Sequence, residues 1–329
     1  KNTMAARVHF ESKHTSIPAN NITGNGTINQ VAKFTGANSI GDGLITDNGT
    51  SVNNTGAGGI TTNTAFGVNA LISNITGSSN VASGYNSLRF NTTGSNNTAI
   101  GNSSIYSNTT GSNNVGLGVS SLQTNTTGTN NVASGYQALL FNTTGSNNVA
   151  SGSQSLFSNT TGSSNVANGY RSLYLNSTGS NNVASGYQAL YSNNSGSNNT
   201  ASGYRSLYLN TTGVENVASG YQSLYSNSTG NNNVANGAYS LRNNTTGSNN
   251  VASGYESLYS NTTGDDNTAI GLRSLYFNTT GSSNTASGYE SLNSNSTGSS
   301  NTANGHGSLY SNTTGDNNVA SGYQSLYRN

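Results

Sequence analysis

The chain has 329 residues, with 42 glycines, one proline, and neither cysteine nor tryptophan. Only 30% of the residues are hydrophobic and 6% are charged, and the formal net charge is +1. Without cysteine the chain can form neither a disulfide framework nor a thiolate metal site. Lysine and arginine are scattered singly, which predicts no nucleic-acid partner. No apolar run approaches the roughly 20 residues of a membrane span, so we expect no membrane insertion.

The first segment, residues 1–24, differs in composition from the rest of the chain. Apolar and polar residues alternate in it as they do in a strand, and Pro18 closes it. One interpretation is an assembly or attachment strand that pairs with another subunit, and the other is a disordered leader. The candidate assembly strand consists of Arg7, Val8, His9, Phe10 and Glu11.

Residues 25–62 form a transition or capping segment. The apolar pairs Val31-Ala32 and Leu44-Ile45 lie between Asn-Gly and Asp-Gly turn signals, which predicts short strands and tight turns. The run from Gly26 to Gly36, G-T-I-N-Q-V-A-K-F-T-G, and the later D-N-G-T from Asp47 resemble the opening segment of tail-fibre-like repeat proteins of Bacteroidetes and their phages.

Residues 63–329 repeat a 17-residue unit, of which Ser248–Gly264 is one copy, S-N-N-V-A-S-G-Y-E-S-L-Y-S-N-T-T-G. We number each coil from its Val or Thr as position 1. That position recurs sixteen times, from Thr64 to Val319, without insertion or deletion. A fixed period of this length is the signature of a solenoid. The sequence therefore predicts an all-β parallel β-solenoid, a β-roll or β-helix of sixteen coils.

The positions of the unit differ in how much they vary. Gly is constant at positions 4 and 14, Asn is constant at position 17, and Leu holds position 8 except at Ile105. Positions 6 and 10 vary widely. We therefore expect Val or Thr and Leu to face inward, variable residues to face solvent, and glycines to form the corners. Three strands of three to four residues would complete each coil, with their side-chain parity undetermined.

A single coil has few side chains to bury, so its stability must come from stacking. Identical residues in successive coils predict asparagine ladders and aromatic ladders. Sixteen coils at the usual strand spacing would form a rod on the order of 75 Å long. The near-constant Ala at position 2 has two interpretations, namely close approach of a second chain or a narrow interior. The unit stops incomplete at Asn329, from which we expect either trimming or an open end that joins the next subunit.

Catalytic and metal-binding patterns are missing from the sequence. His9 and His14 lie outside the repeat, and His306 replaces a Tyr of its coil. The Asp residues at 265, 266 and 316 occupy turn positions and do not follow the calcium-binding β-roll pattern. We expect no enzymatic activity, no cofactor and no metal.

Asn at position 11 begins an Asn-x-Ser/Thr motif in fifteen coils. These motifs predict a ridge of N-glycosylation sites along the rod. The alternative is turn and ladder chemistry, because Asn tolerates left-handed backbone and Thr favours strands. The candidate sites are Asn74, Asn91, Asn108, Asn125, Asn142, Asn159, Asn176, Asn193, Asn210, Asn227, Asn244, Asn261, Asn278, Asn295 and Asn312.

The repeat also resembles the head repeats of trimeric autotransporter adhesins, whose N-x-V-A-x-G pattern appears at Asn131–Gly135 and, with Thr for Val, at Asn97–Gly101. The resemblance implies a trimer of left-handed parallel β-rolls that binds host or matrix surfaces. The longer period, the polar third position and the lack of stalk heptads depart from that family.

Two functional classes follow. The first is an extracellular or cell-surface structural fibre whose subunits associate with one another, as a homo-oligomer, a trimer or a filament, laterally or end to end. The second is an adhesin or phage tail-fibre shaft that binds a cell-surface receptor or glycan, which would place the protein on a virion in the phage case.

Overall fold

The computed structural model describes the backbone of residues 30–36, 39–47 and 52–54, and both backbone and side chains of residue 60 and residues 62–329. The chain divides between residues 53 and 54 into two units. The candidate assembly strand, residues 7–11, lies outside the described residues, so its role stays a prediction.

Residues 30–54, all but the last of them in the first unit, contain a small sheet. Its strands are β1 (Gln30–Gly36), β2 (Ser39–Asp47) and β3 (Val52–Asn54), in that order across the sheet. β1 and β2 are antiparallel, with Gln30 opposite Thr46 and Gly36 opposite Ser39. These two strands contain the apolar pairs from which the sequence predicted extended structure.

The second unit is a parallel β-solenoid, which confirms the predicted fold class. Each coil contributes positions 1 to 3 as one strand, and every strand pairs in parallel with the same three positions of the next coil. The sixteen strands form one sheet whose order follows the chain, and none of the described residues is helical. The strands are β4 (Thr64–Phe66), β5 (Val81–Ser83), β6 (Thr98–Ile100), β7 (Val115–Leu117), β8 (Val132–Ser134), β9 (Val149–Ser151), β10 (Val166–Asn168), β11 (Val183–Ser185), β12 (Thr200–Ser202), β13 (Val217–Ser219), β14 (Val234–Asn236), β15 (Val251–Ser253), β16 (Thr268–Ile270), β17 (Thr285–Ser287), β18 (Thr302–Asn304) and β19 (Val319–Ser321).

The prediction of three strands per coil is wrong, because each coil has one. Positions 6, 8 and 16 have left-handed backbone, as in Gln222 (φ 51°), Leu224 (φ 51°) and Asn232 (φ 56°). Alternating left-handed residues cannot continue a strand, whose φ is strongly negative. Backbone hydrogen bonds between coils nevertheless persist there, since the amide of Leu224 donates to the carbonyl of Ser240 (2.9 Å). Most of the coil is therefore paired without being strand.

The expected inward orientation of Val is also wrong. Successive side chains of a strand point to opposite faces. The interior face belongs to Ala at position 2, as in Ala218, except in β7, where position 2 is Gly116. Val at position 1 must therefore point outward. Among the complete coils, the exposed valines have 36% to 41% of their surface accessible to solvent, for example Val81 and Val217. The expected burial of Leu at position 8 is confirmed.

The interior is narrow and partly polar. Ala at position 2 and Leu at position 8 supply its apolar part, and Ser or Ala at position 7 with Asn at positions 11 and 17 supply the rest. Ala201, Leu207 and Asn210 of one coil are all completely buried. Of the two interpretations of Ala, the narrow interior is the one that the structure bears out within a single chain.

The two constant glycines serve the corners in different ways. At position 4 the backbone adopts a φ that only glycine tolerates well, +132° in Gly220. At position 14 the reason is space, because a Cβ on Gly213 would overlap the carbonyl oxygen of Gly230 and the Oδ1 atom of Asn210. Both predicted corners are confirmed, one through conformation and one through close approach.

Candidate functional site

Two rows of buried asparagines run along the inside of the solenoid, where a row means the same position in successive coils. In row 11, the Nδ2 atom of Asn210 donates to Oδ1 of Asn193 (2.8 Å) and to the carbonyl oxygen of Gly213 (3.0 Å). Asn227 repeats the pattern one coil later, donating to Oδ1 of Asn210 (2.9 Å). Each amide is therefore a donor to one coil and an acceptor from the next, which confirms the predicted asparagine ladder.

Row 17 forms the second ladder. The backbone amide and the Nδ2 atom of Asn199 both donate to Oδ1 of Asn182, at 3.0 and 3.2 Å. The same Nδ2 atom also donates to the carbonyl oxygen of Gly213 (2.9 Å). That oxygen thus accepts from both rows, since Asn210 donates to it as well. The position-14 glycine joins the two ladders, and both lone pairs of its carbonyl are used.

The fifteen candidate glycosylation sites form row 11 and lie inside the coil stack. Each is at most 5% exposed. They do share one angular position, as the sequence predicted, but they line the interior and not an outer ridge. N-glycosylation would consume the nitrogen that the ladder uses, so a glycan and the ladder exclude each other at any one residue. Glycosylation of this row stays an untested prediction.

Four other Asn-x-Ser/Thr motifs within residues 62–329 are easily missed in the sequence because they occur out of phase with row 11. One begins at Asn243, which is half-buried, and the other three begin at exposed positions. These three positions are Asn96, Asn102 and Asn198. Substitutions at neighbouring positions create the three exposed motifs, Thr at position 1 in two cases and Ser-Ser in the third. A coil-by-coil reading of the sequence could have found them.

The outer surface carries two aromatic ladders, which confirms the second predicted ladder type. In row 5, Tyr204 and Tyr221 stack with ring centroids 5.0 Å apart and an interplanar angle of 7°. In row 9, Tyr191 and Tyr208 stack at 5.1 Å and 16°. Burial raises the pKa of Tyr191 above its ordinary value of 10.0, and the neighbouring phenol of Tyr208 adds to the increase. The rings therefore form a partly buried stripe along the rod.

Arginines of row 6 lie between the two aromatic rows. The guanidinium of Arg205 lies 5.3 Å from the ring centroids of both Tyr204 and Tyr208. Its Nε atom donates to Oε1 of Gln188, one coil earlier, at 2.8 Å. Rows 5, 6 and 9 together form what we call the tyrosine–arginine face.

Row 9 is interrupted at two coils where the residue is not aromatic although both neighbours are. Arg242 lies between Tyr225 and Tyr259, and Asn293 lies between Tyr276 and Tyr310. These substitutions carry no signal in the sequence alone, because a missing ring acquires meaning only once the coils are stacked.

Charged and metal-ligating side chains are sparse in the described part of the chain. Among residue 60 and residues 62–329, no group of three or more His, Cys, Asp or Glu side chains could hold a metal ion. One ion pair is present there, between Nε of Arg273 and Oε2 of Glu256 (2.8 Å). A search of the same residues finds no helix with the length and apolarity to cross a bilayer.

The fold and the two rows of buried amides define the class of this chain, a parallel β-solenoid repeat protein with 17-residue coils and asparagine ladders. In comparisons with known proteins, no family model, no curated protein and no solved structure matches it.

Replacing Asn210 by Ala should lower the stability of the solenoid markedly. The substitution leaves Oδ1 of Asn193 and one Nδ2 hydrogen of Asn227 buried without partners. At about 1–3 kcal/mol for each unsatisfied group, we expect a loss of roughly 2–4 kcal/mol, measured by urea unfolding. The matched control is Thr212→Ala in the same coil, at an exposed position, with an expected change within about 0.5 kcal/mol. Equal effects of the two substitutions would contradict the ladder.

Glycopeptide mapping of the folded protein, secreted from a host that attaches N-glycans, tests the burial of row 11. We expect no glycan on the fifteen row-11 asparagines, because their Nδ2 atoms are enclosed. Asn96, Asn102 and Asn198 serve as internal controls, since their motifs are equivalent and their side chains are exposed. Glycans on row 11 in soluble, folded protein would show that this row is not inside.

Proposed function

We propose that this chain is a non-enzymatic subunit of an extracellular structural fibre, in which solenoids associate side by side. The observation that carries the proposal is the outer face of the sixteen-stranded sheet. Its position-1 side chains form one continuous row of valines and threonines along the solenoid.

The valine row is a surface that burial would stabilise. Val183, Val217 and Val234 are each 38% to 41% exposed, and each is paired with the strands on both sides within the sheet. Covering apolar area contributes about 25 cal/mol per Å². A small contribution from each coil, repeated over many coils, adds up to a stable contact.

The partner most suited to this row is a second copy of the chain. A partner that contacts every coil must have the same axial spacing, and a copy has it automatically. The net charge of +1 and the 6% content of charged residues leave little electrostatic repulsion between copies. Near-neutral charge in itself promotes association. These arguments favour a homo-oligomer or filament, the trimer included.

A second candidate function is that of an adhesin or tail-fibre shaft that binds a cell-surface receptor or glycan. The tyrosine–arginine face supports it, because tyrosine and arginine are enriched at sites that dominate binding energy. Under this function the rod would be a discrete object that presents a face, and not a polymer.

Electron microscopy with sedimentation analysis tests the fibre proposal. We expect wild-type protein to form long filaments or bundles. A variant with Val183→Lys, Val217→Lys and Val234→Lys should remain folded but lose side-by-side association, because each coil contact would have to bury a charge. A variant without residues 1–24 tests the candidate assembly strand in the same assay.

The matched control carries the same three charges on another exposed row, as Thr178→Lys, Thr212→Lys and Thr229→Lys. It should assemble like wild type, with circular dichroism confirming that both variants are folded. Discrete short rods from the wild-type protein would overturn the fibre and favour the adhesin or shaft. Normal assembly of the valine variant would overturn the role of the valine row.

A further inference from the structure

The gap in row 9 at Asn293 opens a cleft in the tyrosine–arginine face. Tyr276 stacks on Tyr259 on one side of the gap, at 5.1 Å, and Tyr310 stacks on Tyr327 on the other, at 4.9 Å. Between Tyr276 and Tyr310 the row has no ring. The cleft encloses about 210 Å³ and is lined by Arg273, Tyr276, Phe277, Glu290, Asn293 and Tyr310.

The cleft between Tyr276 and Tyr310 has room for one planar group. Two coil steps separate Tyr276 from Tyr310, roughly 10 Å by the spacing of adjacent strands, and one stacked ring occupies half of such an interval. Asn293 does not fill the space, because its Nδ2 atom donates to the backbone carbonyl of Arg273 (3.0 Å) and the side chain is only 3% exposed. The cleft is thus held open by a hydrogen bond.

The walls of the cleft are half-buried tyrosine rings. Burial raises the pKa of both Tyr276 and Tyr310 above the ordinary value of 10.0. Tyr276 has an edge contact with Phe277, with ring centroids 4.6 Å apart, and the guanidinium of Arg273 lies 5.6 Å from its centroid. Tyr276 and Tyr310 each stack on one ladder neighbour, and no ring stacks between the two. A planar group inserted between them would restore the continuous stack.

Another coil of this chain shows which kind of group can lie between two row-9 tyrosines. Three coils earlier, Arg242 occupies the same position between two tyrosines. Its guanidinium lies 5.4 Å from the ring centroid of Tyr225 and 5.8 Å from that of Tyr259. Its Nε atom also donates to Oε1 of Gln222 (3.1 Å). A guanidinium therefore takes the place of a ring in this ladder, within 6 Å of the ring centroids on both sides.

Charge at the cleft also favours a cation. Glu290 takes the position that Tyr239 holds beside Arg242, where ring centroid and guanidinium are 6.0 Å apart. Arg273 also lines the cleft and attracts Glu290 electrostatically. Its Nε atom is nevertheless paired with Oε2 of Glu256 at 2.8 Å, and no described residue forms an ion pair with Glu290. A planar cation would gain both the faces of two tyrosines and a carboxylate.

We propose that the cleft between Tyr276 and Tyr310 is a binding site for a guanidinium group, namely an arginine side chain of a partner protein. The guanidinium stacks between the two rings and donates to the carboxylate of Glu290. The site is complete in one chain, so the proposal does not depend on fibre formation.

The partner is best sought in a different protein. Five of the six described arginines already lie against rings of their own chain, which leaves Arg328; the five are Arg89, Arg171, Arg205, Arg242 and Arg273. An isolated side chain binds weakly, and a partner would add affinity through contacts on either side of its arginine. The cleft then acts as an anchor of the kind that arginine commonly fills at interfaces.

Titration of the full chain with N-acetyl-arginine amide, followed by nuclear magnetic resonance, tests the site. We expect saturable shifts at Tyr276 and Tyr310 and not at Tyr204. N-acetyl-lysine amide, a cation without a plane, and N-acetyl-citrulline amide, a plane without charge, should each bind about tenfold more weakly. Equal binding of either control compound would overturn the guanidinium assignment.

Two variants test the shape of the cleft and the charge of Glu290 separately. Asn293→Tyr restores the residue that most coils carry, so it should fold, raise the melting temperature and abolish binding. Glu290→Gln should weaken binding by about fivefold to tenfold without closing the cleft. Thr212→Ala is the matched control, with unchanged binding expected. Undiminished binding by Asn293→Tyr would overturn the site, and loss of self-association in both cleft variants would assign the arginine to a second copy.

Discussion

Each coil encloses two asparagine side chains, and a buried primary amide is stable only if its donors and its acceptor find partners. Stacking identical coils satisfies this condition, because Asn193 accepts from Asn210 and Asn210 accepts from Asn227. The arrangement requires every coil to place its amide at the same height and angle. This requirement explains why sixteen coils follow one another without insertion or deletion, and why position 14 is always glycine. A larger residue there would displace the carbonyl that joins the two ladders.

A polar interior leaves the outer surface free to vary. The backbone register is held from within, so the residues of rows 5, 6 and 9 can differ between coils without loss of the fold. Identical residues in neighbouring coils produce ladders, and a single substitution produces a local site. Arg242 and Asn293 show the two outcomes, a filled position and an open one. In such a repeat protein, departures from the consensus are where specific binding is to be sought.

Much of this architecture could be predicted from the sequence, because period, glycine positions and residue identity at 17-residue intervals directly imply stacked coils and ladders. The orientation of Val could not. It follows from Ala at position 2 taking the interior face, a role that the sequence left open. The left-handed backbone at positions 6 and 8 could not be predicted either, since Gln222 and Leu224 adopt it although neither residue type signals it. The same hidden conformation made three strands per coil look plausible. The Asn293 cleft was missed because it is created by Tyr276 and Tyr310 in the adjoining coils, and the candidate assembly strand at residues 7–11 stays a prediction.

The most direct test of the account is hydrogen exchange of asparagine side-chain amides, measured by nuclear magnetic resonance with assigned resonances. The ladders predict that Nδ2 protons of rows 11 and 17, such as those of Asn210 and Asn199, exchange roughly a hundredfold or more slowly than those of exposed Asn181 and Asn198, since exchange requires the coils to separate. Equal exchange rates for buried and exposed asparagines would contradict the claim that amide ladders hold the solenoid together.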